Sequence, residues 1–279
     1  MLDFFRARAT LGVEEIVGDG YRRTVMIGDH AAVISVAPTS KAGCLALRVD
    51  PEMAPDAAPS LVIRVRRMFD LDADPAVIDA TLARDPALAS FVRSTPGLRV
   101  PKAWDAFELV VRAILGQQVS VKGATTIAGR LARGYGRPLP TPVGSLSHLF
   151  PEPAALATAP LEEIGLTRAR ASTLRGLASA VTSGAVTLDV SGDREQTITR
   201  LMALRGIGPW TAQYVRLRAF ADADAFPAGD LGLRRALESG GVLPSERELE
   251  RISERWRPWR AYAALHLWTG ARTTGAREP

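Results

Sequence analysis

Residues 204–220 read LRGIGPWTAQYVRLRAF, and this stretch decides the fold of the chain. Two glycines, Gly206 and Gly208, separate two runs with helical periodicity, and Pro209 follows at a position that suits the first turn of a helix. The stretch therefore predicts a helix–hairpin–helix. Free N–H groups at the start of the second helix carry a partial positive charge, which favours a phosphate ligand. The alternative is an ordinary turn whose glycines only permit close packing of two helices.

The composition excludes several classes of protein. The chain has 279 residues, of which 47% are hydrophobic, and this fits globular domains with sizeable cores. Cys44 is the single cysteine and the three histidines are scattered, so we expect neither disulfides nor a zinc or iron–sulfur site. No apolar run approaches the roughly 20 residues of a membrane helix. The formal net charge of +5 fits a polyanionic partner, but it fits a basic, solubilising surface equally well.

Two kinds of periodicity divide the chain. Short β-rich runs fill residues 21–50, with helical stretches on either side, and they predict an α+β N-terminal domain at residues 1–71 that contains an antiparallel sheet with flanking helices. Residues 72–268 have helical periodicity and short connections, which predict an all-α domain. Residues 269–279 have no apolar face, and we expect a frayed C-terminal tail there.

Two stretches beside the hairpin carry candidate functional residues. The run DAFELVVRAILGQQVS predicts a helix with one buried face that ends near Gly116, and Gln117 and Gln118 follow it. In FPAGDLGLRRAL, Asp230 is the only acidic residue. An aspartate before LGLRRAL is a strong signal for a helix N-cap, and a catalytic carboxylate is the other interpretation.

In this order the stretches closely resemble the bacterial DNA-3-methyladenine glycosylase II (AlkA-type) family, within the helix–hairpin–helix base-excision DNA glycosylases. The resemblance rests on AFELVVRAILGQQVSV, LRGIGPWTAQY, FPAGDLGLRRAL and RWRPWRAYAALHLW, and it covers nearly the whole chain. It implies an enzyme of base-excision repair that flips an alkylated base out of duplex DNA and hydrolyses its N-glycosidic bond. The implied substrates include 3-methyladenine, 7-methylguanine and hypoxanthine, and the implied product is an abasic site.

The resemblance also implies roles for individual residues. Asp230 matches the catalytic aspartate, whose carboxylate stabilises the oxocarbenium character of the sugar and orients a water molecule. Trp210 stands where related bifunctional enzymes carry a catalytic lysine. Because a Schiff base needs that amine, we expect a monofunctional glycosylase without lyase activity.

An aromatic pocket for the extruded base is implied by Trp210, Tyr214 and Trp268, with Phe4 contributed by the N-terminal domain. A cationic, alkylated purine gains about 0.5 to 2 kcal/mol over an indole face, so such a pocket would prefer alkylated bases. The alternative is that Trp210 and Tyr214, spaced i and i+4, are only the core stripe of a helix.

DNA contacts are implied at the hairpin and at the end of the preceding helix. Gln118 matches the side chain that fills the gap left by the flipped base, where the family has leucine, and a plain helix end is the alternative. The implied DNA-binding residues are Gln117, Gln118, Gly206, Ile207, Gly208 and Pro209. Basic residues expected near phosphates are Lys122, Arg168, Arg170 and Arg205, while Arg257 and Arg260 flank the Trp-rich terminal helix, and a solvated surface is the alternative for most of them. The backbone carbonyls of Leu204 and Ile207 are expected to hold a structural Na⁺ or K⁺, and no other cofactor is required.

The expected partner is double-stranded DNA with alkylated bases. We expect no membrane association, a monomer, and a cytoplasmic, nucleoid-associated location. Met1 opens almost directly on the helical run FFRARA, where related proteins carry an extra strand, so either an edge strand is missing or the chain belongs to a longer fusion. Two other functions stay open: a non-catalytic helix–hairpin–helix protein that binds DNA damage, and a glycosylase for another lesion such as an oxidised purine.

Overall fold

The computed structural model describes residues 1–52, 57–189 and 192–273. The chain forms two compact units, and each draws on separate parts of the sequence. The first comprises Met1–Val65, Ile114–Thr187 and Leu204–Gly206, and the second comprises Arg66–Ala113, Leu188–Ala203 and Ile207–Pro279. Each unit is thus built from three separate segments and does not correspond to one continuous stretch of sequence. The domain boundary at Leu71, which was drawn from sequence periodicity, stays a prediction.

A four-stranded antiparallel sheet lies in the first unit, and it confirms the predicted sheet. Its strands follow chain order: β1 (Glu14–Val17), β2 (Gly20–Ile27), β3 (His30–Pro38) and β4 (Leu45–Asp50). The sequence does not predict β1, because a strand that opens with two glutamates resembles a surface loop. Glu14 is nevertheless buried, and its carboxylate accepts a hydrogen bond from the Tyr21 hydroxyl at 2.6 Å.

A second, two-stranded sheet corrects the prediction that residues 72–268 are entirely helical. It consists of β5 (Pro138–Val143) and β6 (Leu146–His148), which pair antiparallel. Prolines within PLPTPV disfavour a strand by sequence pattern alone. Leu139 and Leu146 nevertheless form one buried cluster with Val33 of the main sheet, so tertiary burial decides this element.

The helices follow the predicted periodicity closely. The predicted helix that ends near Gly116 is α5 in the structure, and it ends at Leu115. In chain order the helices are α1 (Leu2–Arg8), α2 (Ala58–Met68), α3 (Pro75–Leu82), α4 (Pro86–Ser94), α5 (Ala106–Leu115), α6 (Val121–Tyr135), α7 (Pro153–Ala157), α8 (Arg168–Thr182), α9 (Arg194–Met202), α10 (Pro209–Arg218), α11 (Leu231–Ala236), α12 (Glu246–Ser253) and α13 (Arg260–Thr273). Together with the sheet they confirm the predicted fold class.

The last helix, α13, forms the centre of the second unit, where it packs against α4 and α11. Its residues from Ala261 to Leu267 are all buried, so it has no polar face in this stretch. It also runs through Thr269 and Gly270 to Thr273, and the predicted tail therefore begins too early. The Thr269 hydroxyl donates to the carbonyl of Leu265 at 2.8 Å, and Gly270 packs against the ring of Phe91. Residues 274–279 lie outside the described residues.

A buried carboxylate joins three segments of the second unit. Asp70 has a left-handed φ of 55° and is 3% exposed. Its carboxylate accepts hydrogen bonds from the Val100 amide at 3.0 Å, the Lys102 ammonium at 2.5 Å and the Tyr262 hydroxyl at 2.9 Å. Burial, followed by the charge of Asp70, raises the pKa of Tyr262 well above its ordinary value. The phenol therefore stays protonated and serves as a donor.

No helix in the described parts of the chain is both long enough and apolar enough to cross a lipid bilayer.

Candidate functional site

The glycine hairpin predicted from the sequence leads directly into α10. Gly206 has a φ of 89°, and a Cβ atom there would lie 2.4 Å from Oγ1 of Thr173 on α8, so only glycine fits. Gly208 is the N-cap of α10, has an ordinary φ of −102° and has open space where a side chain would stand. Pro209 takes the first helical position, where its missing N–H has no cost. The two glycines therefore have different roles: Gly206 is required by the fold, whereas Gly208 leaves the helix terminus accessible.

Three aromatic side chains of the second unit come together as predicted. Trp210 and Tyr214 on α10 stack with their ring centroids 5.3 Å apart and their planes 9° from parallel. The ring of Trp268, from α13, meets Tyr214 edge-on at 6.4 Å and 66°. All three are half-buried, whereas a core stripe would be buried. The cluster therefore presents aromatic surface to its surroundings.

Asp230 lies between the two indoles. The Nε1–H of Trp210 donates to Oδ2 of Asp230 at 2.8 Å, and the Nε1–H of Trp268 donates to Oδ1 at 2.8 Å. Oδ1 also accepts the backbone N–H of Leu233 at 3.0 Å, so Asp230 is indeed the N-cap of α11. An ionised carboxylate can only accept hydrogen bonds, and these three donors suit that form. Capping alone would engage one oxygen; here both are oriented.

Gly232 also belongs to this candidate site, although its sequence pattern alone did not indicate it. A Cβ at this position would lie 3.0 Å from Oδ1 of Asp230 and 3.4 Å from Cδ1 of Trp268. Its lack of a side chain therefore allows the carboxylate and the indole to meet over the first turn of α11. A glycine inside a helical pattern is the signal that could have identified it, because such a glycine often marks a close approach.

Gln213 and Arg218, both on α10, were also missed. The side-chain oxygen of Gln213 accepts the backbone N–H of Phe226 at 3.2 Å, which ties α10 to the loop that leads to Asp230. Arg218 is 6% exposed, and its Nη1 donates to the Tyr214 hydroxyl at 2.8 Å. An arginine between apolar residues of a helix is the sequence signal for such a contact. Arginine is rarely buried without a partner, so a buried one should have a hydrogen-bond acceptor nearby.

The two glutamines after α5 lie beside the hairpin in the first unit. Nε2 of Gln117 donates to the carbonyl of Gly206 at 3.0 Å. The carbonyl of Gln117 accepts a hydrogen bond from Nη2 of Arg170, on α8, at 2.5 Å. Gln118 is exposed and has a φ of 57°, a left-handed conformation that is uncommon for a residue with a side chain. The structure therefore brings Gln117 to the hairpin and leaves the side chain of Gln118 accessible.

The remaining predicted residues are placed as follows. Phe4 lies on α1 in the first unit, where the guanidinium carbon of Arg8 stands 4.2 Å from the ring centroid; its predicted place in a base pocket stays a prediction. Arg257 and Arg260 form ion pairs with Asp224 and Glu254. Their guanidinium groups are thus engaged within the protein. Among the described residues, no group of three or more His, Cys, Asp or Glu side chains is placed to hold a metal ion.

Two family models match consecutive parts of the chain. The family model described as the AlkA N-terminal domain matches residues 1–105. The model described as HhH-GPD superfamily base excision DNA repair protein matches residues 111–260. The chain belongs to the HhH-GPD superfamily. These matches confirm the helix–hairpin–helix glycosylase family that the sequence motifs resemble.

Two relatives of this HhH-GPD protein match it along nearly its whole length. It is 36% identical over 271 residues to the DNA-3-methyladenine glycosylase 2 of Escherichia coli, which covers 96% of this chain and 92% of the relative. It is 40% identical over 264 residues to the probable bifunctional transcriptional activator/DNA repair enzyme AlkA of Mycobacterium tuberculosis, which covers 94% of this chain. The chain spans about half the length of that mycobacterial relative, 52%.

Solved structures share the fold of this HhH-GPD protein at low sequence identity. The 3-methyladenine DNA-glycosylase from Archaeoglobus fulgidus matches with a TM-score of 0.83 and 22% identity, over 99% of this chain and 94% of that one. The 8-oxoguanine glycosylase/lyase of Clostridium acetobutylicum matches with a TM-score of 0.77 and 18% identity, over 98% of this chain and 92% of that one. These two enzymes are named for different bases. The fold is therefore shared across specificities, and the site residues must account for the specificity.

Proposed function

We propose that the chain is a monofunctional DNA glycosylase that hydrolyses the N-glycosidic bond of alkylated bases in duplex DNA and leaves an abasic site. The observation that carries the proposal is the fixed carboxylate of Asp230, held by the indole N–H groups of Trp210 and Trp268. The 36% identity to a protein named DNA-3-methyladenine glycosylase 2 supports the same activity and favours 3-methyladenine as a substrate. We propose 7-methylguanine as a second substrate. The whole protein acts as a monomer in the cytoplasm, with damaged double-stranded DNA as its partner.

The proposed chemistry depends on a charge that is in place before the reaction starts. As the bond from sugar to base breaks, positive charge develops on the sugar, and the Asp230 carboxylate stabilises it and orients the attacking water. Three N–H donors hold this carboxylate in one orientation, so little reorganisation is needed during the reaction. An alkylated purine is already cationic and leaves as a neutral base. The site therefore needs no strong general acid.

The aromatic cluster supplies the proposed selectivity. Trp210, Tyr214 and Trp268 offer ring faces and edges beside Asp230, and stacking of bases on aromatic rings is sequence-tolerant. The hydroxyl of Tyr214 already accepts a hydrogen bond from the cationic Arg218. We therefore expect the two indoles to contribute most of the cation–π attraction for the base.

Lyase activity is not part of the proposal. Trp210 stands at the position of the catalytic lysine of bifunctional enzymes, and the chain has no lysine after Lys122. Lys102, which lies in the same unit as Asp230, is 14% exposed and paired with Asp70. A Schiff base with the sugar needs an accessible amine, so cleavage of the strand requires a separate step.

DNA binding is proposed at the hairpin and the residues after α5. Gly206, Ile207 and Gly208 present backbone N–H groups to a phosphate just before α10, where Pro209 takes the first helical position. Gln117 supports the turn, and Gln118 fills the gap in the base stack. A Na⁺ or K⁺ at the carbonyls of Leu204 and Ile207 would have a structural role, and no other cofactor is proposed.

Base release from methylated duplex DNA tests the proposal. Purified protein is incubated with the duplex, free bases are separated chromatographically, and the strand is examined before and after alkali. We expect free 3-methyladenine or 7-methylguanine, with breaks that appear only after alkali. Tight, salt-sensitive binding without base release would favour a non-catalytic protein that binds DNA damage. Release of 8-oxoguanine but of no alkylated base would instead assign another specificity.

A further inference from the structure

The backbone at Gln118 has a conformation that is uncommon for a residue with a side chain. Its φ of 57° lies in the left-handed region, where a Cβ crowds the backbone. The side chain is exposed, so burial of the side chain does not stabilise this conformation. Strained backbone of this kind persists only where neighbouring contacts determine it, and it clusters at functional sites. The contacts of the adjacent peptide group should therefore explain it.

Arg170 supplies such a contact. Its Nη2 donates a hydrogen bond to the carbonyl oxygen of Gln117 at 2.5 Å. That oxygen belongs to the planar peptide group that joins Gln117 to Gln118, so holding the oxygen holds the plane whose rotation defines φ of Gln118. Nε2 of Gln117 is bound in turn to the carbonyl of Gly206 at 3.0 Å. The backbone carbonyl of Gln117 is thus bound to Arg170 on α8. The side chain of Gln117 is bound to Gly206 in the hairpin.

The other side of Gln118 is fixed as well. Two residues later, Ser120 is the N-cap of α6, and its Oγ accepts the backbone N–H of Gly123 at 3.1 Å. The turn between α5 and α6 is therefore restrained at both ends. Arg170 differs from the other restraints because it is a long cationic side chain from a separate helix. Substitution of Arg170 would therefore free the peptide group between Gln117 and Gln118 without changing any residue of the turn itself.

We propose that Arg170 is a positioning residue that holds Gln118 in the conformation in which it enters the DNA base stack. This inference rests on the proposed function, because it assumes that Gln118 fills the gap left by the flipped base. Arg170 acts through the peptide group between Gln117 and Gln118 and touches neither base nor sugar. From the resemblance alone, Arg170 is expected near a DNA phosphate. Its contact with a protein carbonyl assigns it the different task of shaping the turn.

The two roles have different consequences for kinetics. A phosphate contact contributes to affinity for any DNA sequence, and its loss lowers the salt dependence of binding by about one charge. A positioning residue acts when the base leaves the stack, and a misplacement of about 1 Å at such a step can cost up to a hundredfold in rate. Loss of Arg170 should therefore reduce the rate at saturating protein more than it reduces the affinity.

The decisive experiment compares Arg170→Ala with Arg175→Ala. Arg175 lies on the same helix and also donates to a backbone carbonyl, that of Ala159 at 3.1 Å, but its other partner is Glu162 and not the turn. The readouts are single-turnover release of 7-methylguanine and the fluorescence of 2-aminopurine placed beside the lesion, which rises on unstacking. Arg170→Ala should lower rate and fluorescence amplitude about tenfold, with Arg175→Ala within about twofold of wild type. Arg170→Lys, which retains a donor, should recover part of both.

A double-mutant cycle with Gln118→Gly tests whether Arg170 acts through this residue. Glycine adopts a positive φ readily and has no side chain to insert, so Arg170→Ala should have almost no further effect in that background. Fully additive losses would overturn the proposal, because they would show that Arg170 acts independently of Gln118. A reduced salt slope for Arg170→Ala, with an unchanged fluorescence amplitude, would overturn it in favour of a phosphate contact.

Failure of this inference can be separated from failure of the proposed function. If wild-type protein releases no alkylated base, the proposed function fails, and 2-aminopurine fluorescence on binding still tests the insertion of Gln118. Hydrogen exchange in the free protein tests the restraint without any DNA. The peptide that covers residues 114–121 should exchange faster in Arg170→Ala than in Arg175→Ala. Equal exchange in both variants would overturn the role of Arg170 even in an active enzyme.

Discussion

The indole nitrogen of Trp210 lies 2.8 Å from Oδ2 of Asp230 and donates a hydrogen bond to it. The bond joins the first turn of the hairpin's second helix to the N-cap of α11. In this way a residue of the hairpin's second helix supports the carboxylate proposed to perform the reaction. Trp268 makes the equivalent bond to Oδ1. The site therefore uses its indoles both as ring surfaces and as N–H donors.

Asp230→Asn should abolish base release while DNA affinity stays within a few fold of wild type. Asparagine caps helices about as well as aspartate, so folding is retained, but the negative charge opposite the sugar is lost. We expect a loss of at least a hundredfold in the single-turnover rate, of the order seen when one electrostatic donor is removed from an active site. The control is Asp193→Asn, the same substitution at the N-cap of α9. Near-normal release by Asp230→Asn would show that another group is catalytic.

Trp268→Ala should slow the release of cationic 7-methylguanine more than the release of neutral hypoxanthine. The difference between the two bases should be about 0.5 to 2 kcal/mol, the range of a cation over an indole face. Trp268→Phe, which keeps a ring but loses the donor to Asp230, separates stacking from support of the carboxylate. Single-turnover rates on both substrates measure the effect. An equal loss on both bases for Trp268→Ala would contradict the cation–π explanation.

Gly206→Ala and Gly208→Ala should fail in different ways. The first places a Cβ 2.4 Å from Thr173 Oγ1 at a φ of 89°, so it should destabilise the folded protein by about 1 to 3 kcal/mol. The second has open space and an ordinary φ, so it should change the free energy of unfolding by less than about 1 kcal/mol. It should nevertheless weaken DNA binding if the phosphate approaches there. Urea unfolding and DNA titration distinguish the two; unchanged affinity of Gly208→Ala would argue for a purely structural hairpin.

Asp70→Asn should destabilise the protein by about 3 to 5 kcal/mol, because it leaves the mostly buried Lys102 without its charged partner. Asparagine tolerates the left-handed backbone of Asp70, so the change removes the charge and one acceptor oxygen without straining the backbone. Asp72→Asn is the matched control. Asp72 is 69% exposed and pairs with an exposed Arg66, so its loss should cost less than about 1 kcal/mol. Similar unfolding curves for the two variants would contradict the assignment of Asp70 as a structural centre.

The protein should lose stability as the pH falls below about 6.5, in part through His266. Burial lowers the pKa of this histidine below 6.5, although Asp79, 3.6 Å away, opposes the shift. In acid the unfolded chain therefore binds a proton that the folded protein does not, so unfolding is favoured there. The stabilisation is complete above pH 6.5 and is lost as the pH falls towards the lowered value. Urea unfolding across this range should show a smaller pH slope for His266→Leu than for the wild type, and an unchanged slope would contradict the role of His266.

Local patterns predicted much of the fold. The helix after Pro209, the end of α5 beside Gly116 and the strands within residues 21–50 all follow from periodicity and turn residues, which act over a few positions of the chain. The prediction failed where burial overrides propensity. The proline-rich β5 forms because Leu139 enters a core with a distant valine, Val33, and α13 extends past Trp268 because Gly270 packs on Phe91.

The sequence by itself determined the kinds of chemistry available: an acid before a short helix, tryptophans at helical positions, a glycine hairpin, and no lysine near it. Only the tertiary structure decided that Trp210 and Trp268 both donate to Asp230, and that Arg170 reaches the carbonyl of Gln117. Residue type and local spacing are properties of the chain alone. These contacts join residues that are 20 to 53 positions apart in the sequence. Their distances are set by how the helices pack, and no local sequence pattern encodes that packing.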